Sequence, residues 1–502
     1  VTSTSRRGYP SPAIPEQKQF CAPESRRLVL IAAILASTMG FIDMTVVALA
    51  TPAIRVDLGA SLVDAQWISN SYMLLLSSLV LLGGAAGDTF GTRNAFAFGI
   101  AVFVVASLAC ALAPDALSLT LTRGAQGLGA AFMVPGSLAV IAKAYPTEER
   151  GAAIGIWAAA SSLTTAVGPL LGGLVLSLDT SWAWRSIFAL NLPIGALALI
   201  ILLRRVPNDA RRDRGRLDLV GAVLATAALG SLAWGLTAIG PSGGTDPLAW
   251  ISLGGAVVLF GLFLMWERRT TSPLLKLRLF TSRAFAGANL YTLLVFVALN
   301  ALLFFLPMTV ISAWDVPEWQ ASLLFLPLAL AIGVLSGAAG RVADRIGARW
   351  PMTAGAAVAG IAFVGIAATL PFGQFWALTL PLLTVMGLGM AALVSPLSTA
   401  VMAAAPDEDS GQASGINNAV ARAGGLIAVA AFGAVASAVY VHSLAGANSN
   451  GEFGERPAAP LEPIAETARV VATTTAFQWV ACICAGLCFL AAGVAWITQP
   501  RR

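Results

Sequence analysis

Charge is what this sequence has least of. Of its 502 residues, 11% are Asp, Glu, Lys or Arg, where a soluble domain carries roughly 25%. So few charges cannot cover a water-facing surface, and most of the molecule must face lipid. Histidine occurs once, at His442, and lysine only at Lys18, Lys143 and Lys276. The five cysteines, Cys21, Cys110, Cys482, Cys484 and Cys488, contain no Cys-x-x-Cys pair. Three of them share one apolar stretch, where they read as small filler. With one imidazole and no cluster of metal ligands, an enzyme is not expected, nor is a metal or a cofactor. A Gly-x-x-x-x-Gly-Lys-[Ser/Thr] loop is also missing, which argues against ATP as the energy source.

What is abundant is apolar. Hydrophobic residues make up 57% of the chain, and the mean hydropathy is +0.80. Stretches of about 18–25 apolar residues, enough to cross a bilayer core, recur near 28–50, 67–86, 95–113, 117–142, 152–178, 186–203, 217–239, 248–266, 285–312, 320–340, 351–370, 375–403, 415–441 and 474–498. These predict an all-α polytopic membrane protein with fourteen transmembrane helices. Lys and Arg set the orientation. With residues 1–27 cytoplasmic, the outer loops hold only Arg55, Arg185, Arg456 and Arg469, while Arg123 and Arg422 lie within spans. Both termini are therefore expected in the cytoplasm, with the chain in a bacterial inner membrane. The net charge of +5 is this topology signal, spread over short loops such as Arg204-Arg205, and no nucleic-acid partner is expected. The Pro- and Ser-rich stretch 1–27 is read as a disordered tail, and 442–473 as a mobile surface loop.

The chain also repeats itself. Gly84-Ala-Ala-Gly-Asp88-Thr-Phe-Gly91-Thr-Arg93 follows span 2, and Gly340-Arg-Val-Ala-Asp344-Arg345-Ile-Gly347-Ala-Arg349 follows span 10. Gly127-Leu-Gly129 recurs as Gly387-Leu-Gly389, and Glu149-Arg-Gly151 as Asp409-Ser-Gly411, in the same order and at nearly constant interval. Spans 1–6 and 9–14 therefore read as two copies of a six-helix unit, with spans 7 and 8 inserted between them. The expected segments are a tail at 1–27, a first half at 28–203, a linker with two inserted spans at 204–284, a second half at 285–498 and a tail at 499–502. Two such halves hold substrate near the midplane between them.

Three further stretches carry chemistry. Asp43, in Met39-Gly-Phe-Ile-Asp43-Met-Thr-Val-Val47, is the acid lying well inside a span. Arg123, in Leu121-Thr-Arg123-Gly-Ala-Gln126-Gly127, lies at a similar depth below the outer end of span 4. An arginine there costs at least ~2.5–3.5 kcal/mol on insertion scales, so it is rarely decorative. Snorkelling to the interface is the alternative. Desolvation favours a neutral Asp43 and a neighbouring arginine favours the carboxylate. Such a site takes up or releases a proton as hydration changes, unless the two form a permanent structural pair. Val167-Gly168-Pro169-Leu-Leu-Gly172-Gly173 in span 5 combines a helix kink with surfaces for close packing.

Together these stretches resemble the major facilitator superfamily, and within it the fourteen-span drug:proton antiporters of the QacA/EmrB type, over nearly the whole chain beyond the tail. The resemblance implies the major facilitator fold. It makes Gly84, Asp88, Gly91 and Arg93, with Gly340, Asp344, Arg345, Gly347 and Arg349, a conformational latch at the inner mouth. Thr89 stands where arginine is common, which marks the first copy as the weaker one. It gives Asp43 and Arg123 proton coupling, on neighbouring spans, and makes Gly168, Pro169, Gly172 and Gly173 the antiporter motif. Arg422 is read as snorkelling to, or paired with, the acidic loop Asp407-Glu408-Asp409. Asn70, Tyr72, Gln126, Tyr291, Asn300, Phe304, Phe305 and Phe325 are candidate cavity residues, few polar groups among many apolar ones, as suits a lipophilic ligand. The expected protein is a monomeric, proton-coupled exporter of lipophilic or amphipathic molecules, neutral or singly cationic. The alternative is an exporter dedicated to one endogenous metabolite, lipid or antibiotic.

Overall fold

The computed structural model describes residues 21–178, 180, 182–209, 217–444, 451–457 and 460–501. Most of the expected tail thus lies outside the described residues. Its last part does not fit the expectation: Cys21 is buried against the carbonyl of Ala144, and helix begins at Arg26. Among the described residues, fourteen helical segments are long and apolar enough to cross a membrane.

The first six spans are α1 (Arg26–Leu58), α2 (Leu62–Phe90), α3 (Thr92–Ala111), α4 (Ala116–Ala144), α5 (Thr147–Leu176), and α6 (Ala183–Ala189) continued by α7 (Asn191–Arg205). The insertion is the hairpin α8 (Leu219–Ser242) and α9 (Pro247–Glu267). The last six are α10 (Arg283–Ala313), a short α11 (Glu318–Ala321) leading into α12 (Leu326–Ile346), α13 (Arg349–Thr369), α14 (Leu380–Ala403), α15 (Ser410–Leu444) and α16 (Pro463–Thr498). Helix starts use the expected chemistry. Ser61 and Asp64 form a reciprocal capping box on α2, as do Asp115 and Ser118 on α4, satisfying amides that the first turn leaves open.

The repeat in the sequence is a repeat in space. α4 packs on α2 and α3 as α14 packs on α12 and α13, and α1 meets α5 and α7 as α10 meets α15 and α16. The repeated glycines make these contacts. A Cβ at Gly129 would lie 2.6 Å from the Phe103 amide nitrogen, and one at Gly389 2.7 Å from the Gly355 carbonyl oxygen, so only glycine permits the approach. Gly91 and Gly347 end α2 and α12 at φ of +93° and +84°, a backbone region that favours glycine. Pro135 and Pro396 lie inside the matching helices α4 and α14.

The halves meet along two lines, α2 against α15 and α5 against α12, with α1 touching α10. The first line is continuous. Gln66 Nε2 donates to the Val429 carbonyl (2.6 Å), Met73 lies at Gly425, and Leu81 lies at Gly415. The inserted α8 packs into the groove between α2 and α15, with α9 outside it. The second line closes only from mid-span to one face. Gly333 touches Ser162, and Gly173 fits under the Glu318 carbonyl and Ser322. Toward the other end, nothing approaches Gly151 or Gly155 of α5. We call the face where α1 begins the near face and the opposite one the far face. The molecule is sealed at the far face and parted between α5 and α12 at the near face.

A strap of chain completes the far seal and corrects the expectation of a mobile loop at 442–473. Residues to Leu444 belong to α15 and those from Pro463 to α16, and between them Glu452–Arg456 pack across both halves. Arg55 donates to the Phe453 carbonyl (2.7 Å) and the Glu452 carboxylate (2.8 Å), which also accepts from the Leu62 amide (2.6 Å). Phe453 is buried against Phe305 and Tyr440, and Arg456 pairs with Glu318 at 3.0 Å.

Candidate functional site

The polar centre of the first half lies where α1, α2, α3, α4 and α7 converge. Asp43 of α1 is 1% exposed and Arg123 of α4 is 2% exposed, so neither charge reaches bulk water. A buried charge persists only if paired and hydrogen-bonded, and both conditions are met. Arg123 Nη1 pairs with Asp43 Oδ2 and donates to Gln126 Oε1 at 2.7 Å, while Nε donates to the Ile68 carbonyl at 3.2 Å. Gln126 Nε2 donates to Asp43 Oδ1 (3.2 Å) and to Ser107 Oγ (2.8 Å), where Asn191 Nδ2 also arrives at 3.3 Å. The guanidinium stacks on Tyr72, 4.4 Å from the ring centre. A carboxylate is thus held by two donors that each have another acceptor at hand. That is the arrangement needed for an acid to gain a proton without stranding the groups around it. Gln126, expected in a cavity, is instead an integral part of this network. Ser107 and Asn191 were not anticipated, because uncharged polar residues are common in membrane helices and nothing in their spacing marks them.

The remaining cavity candidates separate. Tyr291 donates to the Met352 carbonyl at 2.7 Å and faces α13 within the second half. Phe304 and Phe305 stack on each other, Phe305 also on the Phe453 strap, and Phe325 is buried in the same core. These four correct the expectation that they line a cavity: all are spent on packing within the second half and its far seal. Asn70 is 0% exposed on the α2 side that meets α15, and neither amide atom finds a partner among the described residues. It too is enclosed. Asn300 is half-buried beside Gly425, with its Nδ2 committed to the Phe296 carbonyl.

Arg422 also departs from expectation. The acids Glu408 and Asp409 are taken by Arg278 and Lys276, Asp409 at 2.6 and 2.7 Å. Arg422 points the other way, into the bundle, with Nη1 at 2.7 Å from Met44 Sδ and Nε at 3.4 Å from Asn418 Oδ1.

At the near face the two latch copies differ. Asp88 is exposed and makes no hydrogen bond or ion pair among the described residues. Its neighbours hold Asp209 instead. The Thr92 and Arg93 amides donate to that carboxylate at 2.8 and 3.2 Å, and Lys143 Nζ lies 2.7 Å from it. Burial alone would raise the Asp209 carboxyl, but Lys143 and the two amides outweigh it and hold it below the usual range. Arg93 donates to the Leu203 carbonyl at 2.8 Å. In the second copy Asp344 and Arg345 are exposed, while Arg349 is buried over the Trp496 ring at 3.8 Å. A cavity of about 650 Å³ opens beside the first copy, with Gly84, Asp88, Thr92, Pro135 and Asn418 in its lining. In α5, Gly168 and Gly172 pack on Ile42 and Val46 of α1 while Gly173 reaches the second half. The stretch around Pro169 therefore joins the acid-bearing helix to the far seal.

Comparison with known proteins agrees with this architecture. The chain matches the sequence pattern of the Major Facilitator Superfamily over residues 31–429. It is 34% identical over 414 residues to the multidrug resistance protein Stp of Mycobacterium tuberculosis, covering 82% of this chain and 76% of that one. It is 32% identical to the tetracenomycin C resistance and export protein of Streptomyces glaucescens, covering 88% and 82%. It is 34% identical to the methylenomycin A resistance protein of Bacillus subtilis, covering 81% and 87%. Among solved structures, a bacterial homologue of the human lysosomal transporter Spinster, inward-facing and unoccupied, superposes with a TM-score of 0.64 at 17% identity, covering 95% and 99%. The inward-open xylose transporter XylE from E. coli gives 0.61 at 15% identity, covering 95% and 97%. These last two bear on the fold alone. With its duplicated halves, fourteen spans and matched sequence, the chain is a multi-pass membrane transporter that belongs to the Major Facilitator Superfamily.

Proposed function

We propose that the protein exports amphipathic or lipophilic small molecules from a bacterial cell in exchange for protons, by alternating access. The near face is then cytoplasmic, as the distribution of Lys and Arg favours, and both termini lie inside. The observation that carries the reading is the enclosed Asp43–Arg123–Gln126 network, an ionisable group placed where it serves a transport cycle and little else. When the far seal opens, a proton reaches Asp43 Oδ1 or Oδ2. Arg123 keeps its bonds to Gln126 Oε1 and the Ile68 carbonyl, so the acid is neutralised without an orphaned cation. When the near side opens, the proton leaves and the ion pair reforms. Substrate occupies the space between the halves in alternation. One proton moving inward across ~150 mV releases roughly 3.5 kcal/mol. The chain acts as a monomer, since each half closes against the other.

The relatives' names support drug export, and one of them favours the second reading. The Streptomyces glaucescens protein is named for resistance to and export of a single compound, tetracenomycin C. A dedicated exporter would use the same machinery. The test is purified protein in proteoliposomes with an imposed pH gradient and a panel of antibiotics and dyes. Efflux of several unrelated compounds, abolished by a protonophore, is the expected result. Efflux of one compound alone selects the dedicated reading. Transport indifferent to the gradient overturns proton exchange.

A further inference from the structure

We infer that Arg422 is a substrate-recognising residue, and that the protein takes amphipathic molecules bearing one acidic group, such as a carboxylate, sulfonate or phenolate, ahead of cations. The inference rests on the exporter reading and names the substrate class of that site.

Three observations meet at this residue. The first is charge without a counter-charge. Two carboxylates near Arg422 are already engaged: Asp409 by Lys276 and Arg278, Asp43 by Arg123 and Gln126. Arg422 has the Asn418 carboxamide and the Met44 thioether, two neutral and weak acceptors for five donors. A cation within a membrane span with no anionic partner is costly and marks a ligand or ion pathway. The second is position. Arg422 is half-buried on α15, and its Nη1 reaches Met44, the residue next to Asp43, on α1 of the other half. It therefore stands between the halves beside the proton site, where substrate must pass. The third is access. Asn418, whose Oδ1 accepts from Arg422 Nε, lines the 650 Å³ near-face cavity. That volume falls in the range of small-molecule pockets, and Val80, Leu81, Pro135 and Ala139 give it apolar walls, with Asp88, Asp218 and Lys276 as its charged lining.

An acidic group entering along those walls meets a guanidinium able to bind it through two parallel N–H bonds. Tyr72, whose ring lies under the Arg123 guanidinium, stands on the neighbouring helix α2. A cationic drug beside Arg422 would meet its positive charge, and the nearby Asp43 is already paired with Arg123. The inference departs from the expectation of neutral or singly cationic substrates. Exchange of one proton inward for one anion outward moves two charges down the membrane potential, so export should be driven by the potential as well as by the pH gradient.

The experiment uses two fluorescent probes of nearly the same shape, 8-anilinonaphthalene-1-sulfonate and the neutral N-phenyl-1-naphthylamine. Binding to the purified full-length protein is titrated by probe anisotropy, and efflux is followed in proteoliposomes. The sulfonate should bind at least tenfold tighter than the neutral probe to the unaltered protein. Arg422→Gln should erase that preference, and the unfolding temperature of the purified variant, measured alongside, certifies the fold. Arg422→Lys should retain part of it. Equal binding of the two probes by the unaltered protein, or equal changes for both in Arg422→Gln, overturns the inference. Proton-driven efflux of the neutral probe in that case keeps the exporter reading standing. Its absence, together with failure of the wider panel, removes that reading as well.

Discussion

Asp43 offers two oxygens, and each takes one hydrogen bond from α4, Oδ2 from Arg123 and Oδ1 from Gln126. The replacement that keeps this shape and loses the proton is asparagine. Asp43→Asn should abolish uphill efflux in proteoliposomes while downhill exchange of substrate persists. Concentration of substrate against a gradient by this variant would place coupling elsewhere. Asp43→Ala is a harsher change. Both remove the carboxylate paired with the buried Arg123, but Asp43→Ala also removes every acceptor for Arg123 and Gln126 at that place, and stranded buried donors are costly. It should lower the unfolding temperature more than Asp43→Asn does. The two charged partners were legible in the sequence because a charge inside an apolar run stands out. Gln126 was placed in a cavity because sequence gives depth along a helix but not which neighbour a side chain faces. Arg422 was misassigned for the same reason: an acidic loop nearby in sequence looked like its partner, and two other cations had already taken it.

Single elements carry the next level of specification. α3 begins at a glycine and has no acid in its first turn. Its exposed amides are instead met by Asp209, arriving from beyond α7, an acid at the positive end of a helix. Asp209→Asn should cost about 1 kcal/mol, the usual worth of such a cap. Its carboxyl is held below the usual range, so the stabilisation is complete above the unfolded value of about 3.9. It is lost as pH falls through the lower folded value. The difference in melting temperature between the native protein and Asp209→Asn should therefore be constant from neutral pH to about pH 5 and shrink below it. A difference independent of pH would show that the charge is not what caps the helix. Nothing in the linker sequence distinguishes Asp209 from Asp213. The element order, the duplicated six-helix plan and the inserted hairpin, by contrast, were readable from span lengths and repeated glycines. Those features are local or periodic, while a cap reaching over more than a hundred positions is neither.

On the scale of the whole molecule the two seams between the halves are unlike each other. The α2–α15 seam is continuous and covered by α8, and the α5–α12 seam is uncovered and already parted at the near face. Motion should therefore be read most clearly at α5 and α12. A Cβ at Gly333 would lie 3.3 Å from that of Ser162, close to the span of a disulfide. In a background lacking the native cysteines, Ser162→Cys with Gly333→Cys should cross-link on oxidation, stop transport, and recover it on reduction. Full transport by the oxidised protein would mean that these helices never separate. The strap over the far face has a consequence for how the molecule is made. Arg55 and its partner Glu452 are 397 positions apart. At about 5–20 residues per second on the ribosome, roughly 20–80 s pass between the synthesis of the two. Throughout that interval the first span waits in the bilayer with an arginine whose carboxylate has not yet been translated. A chain that stops before Glu452 never supplies it, so α1 carries a test of whether the far end of the chain was finished.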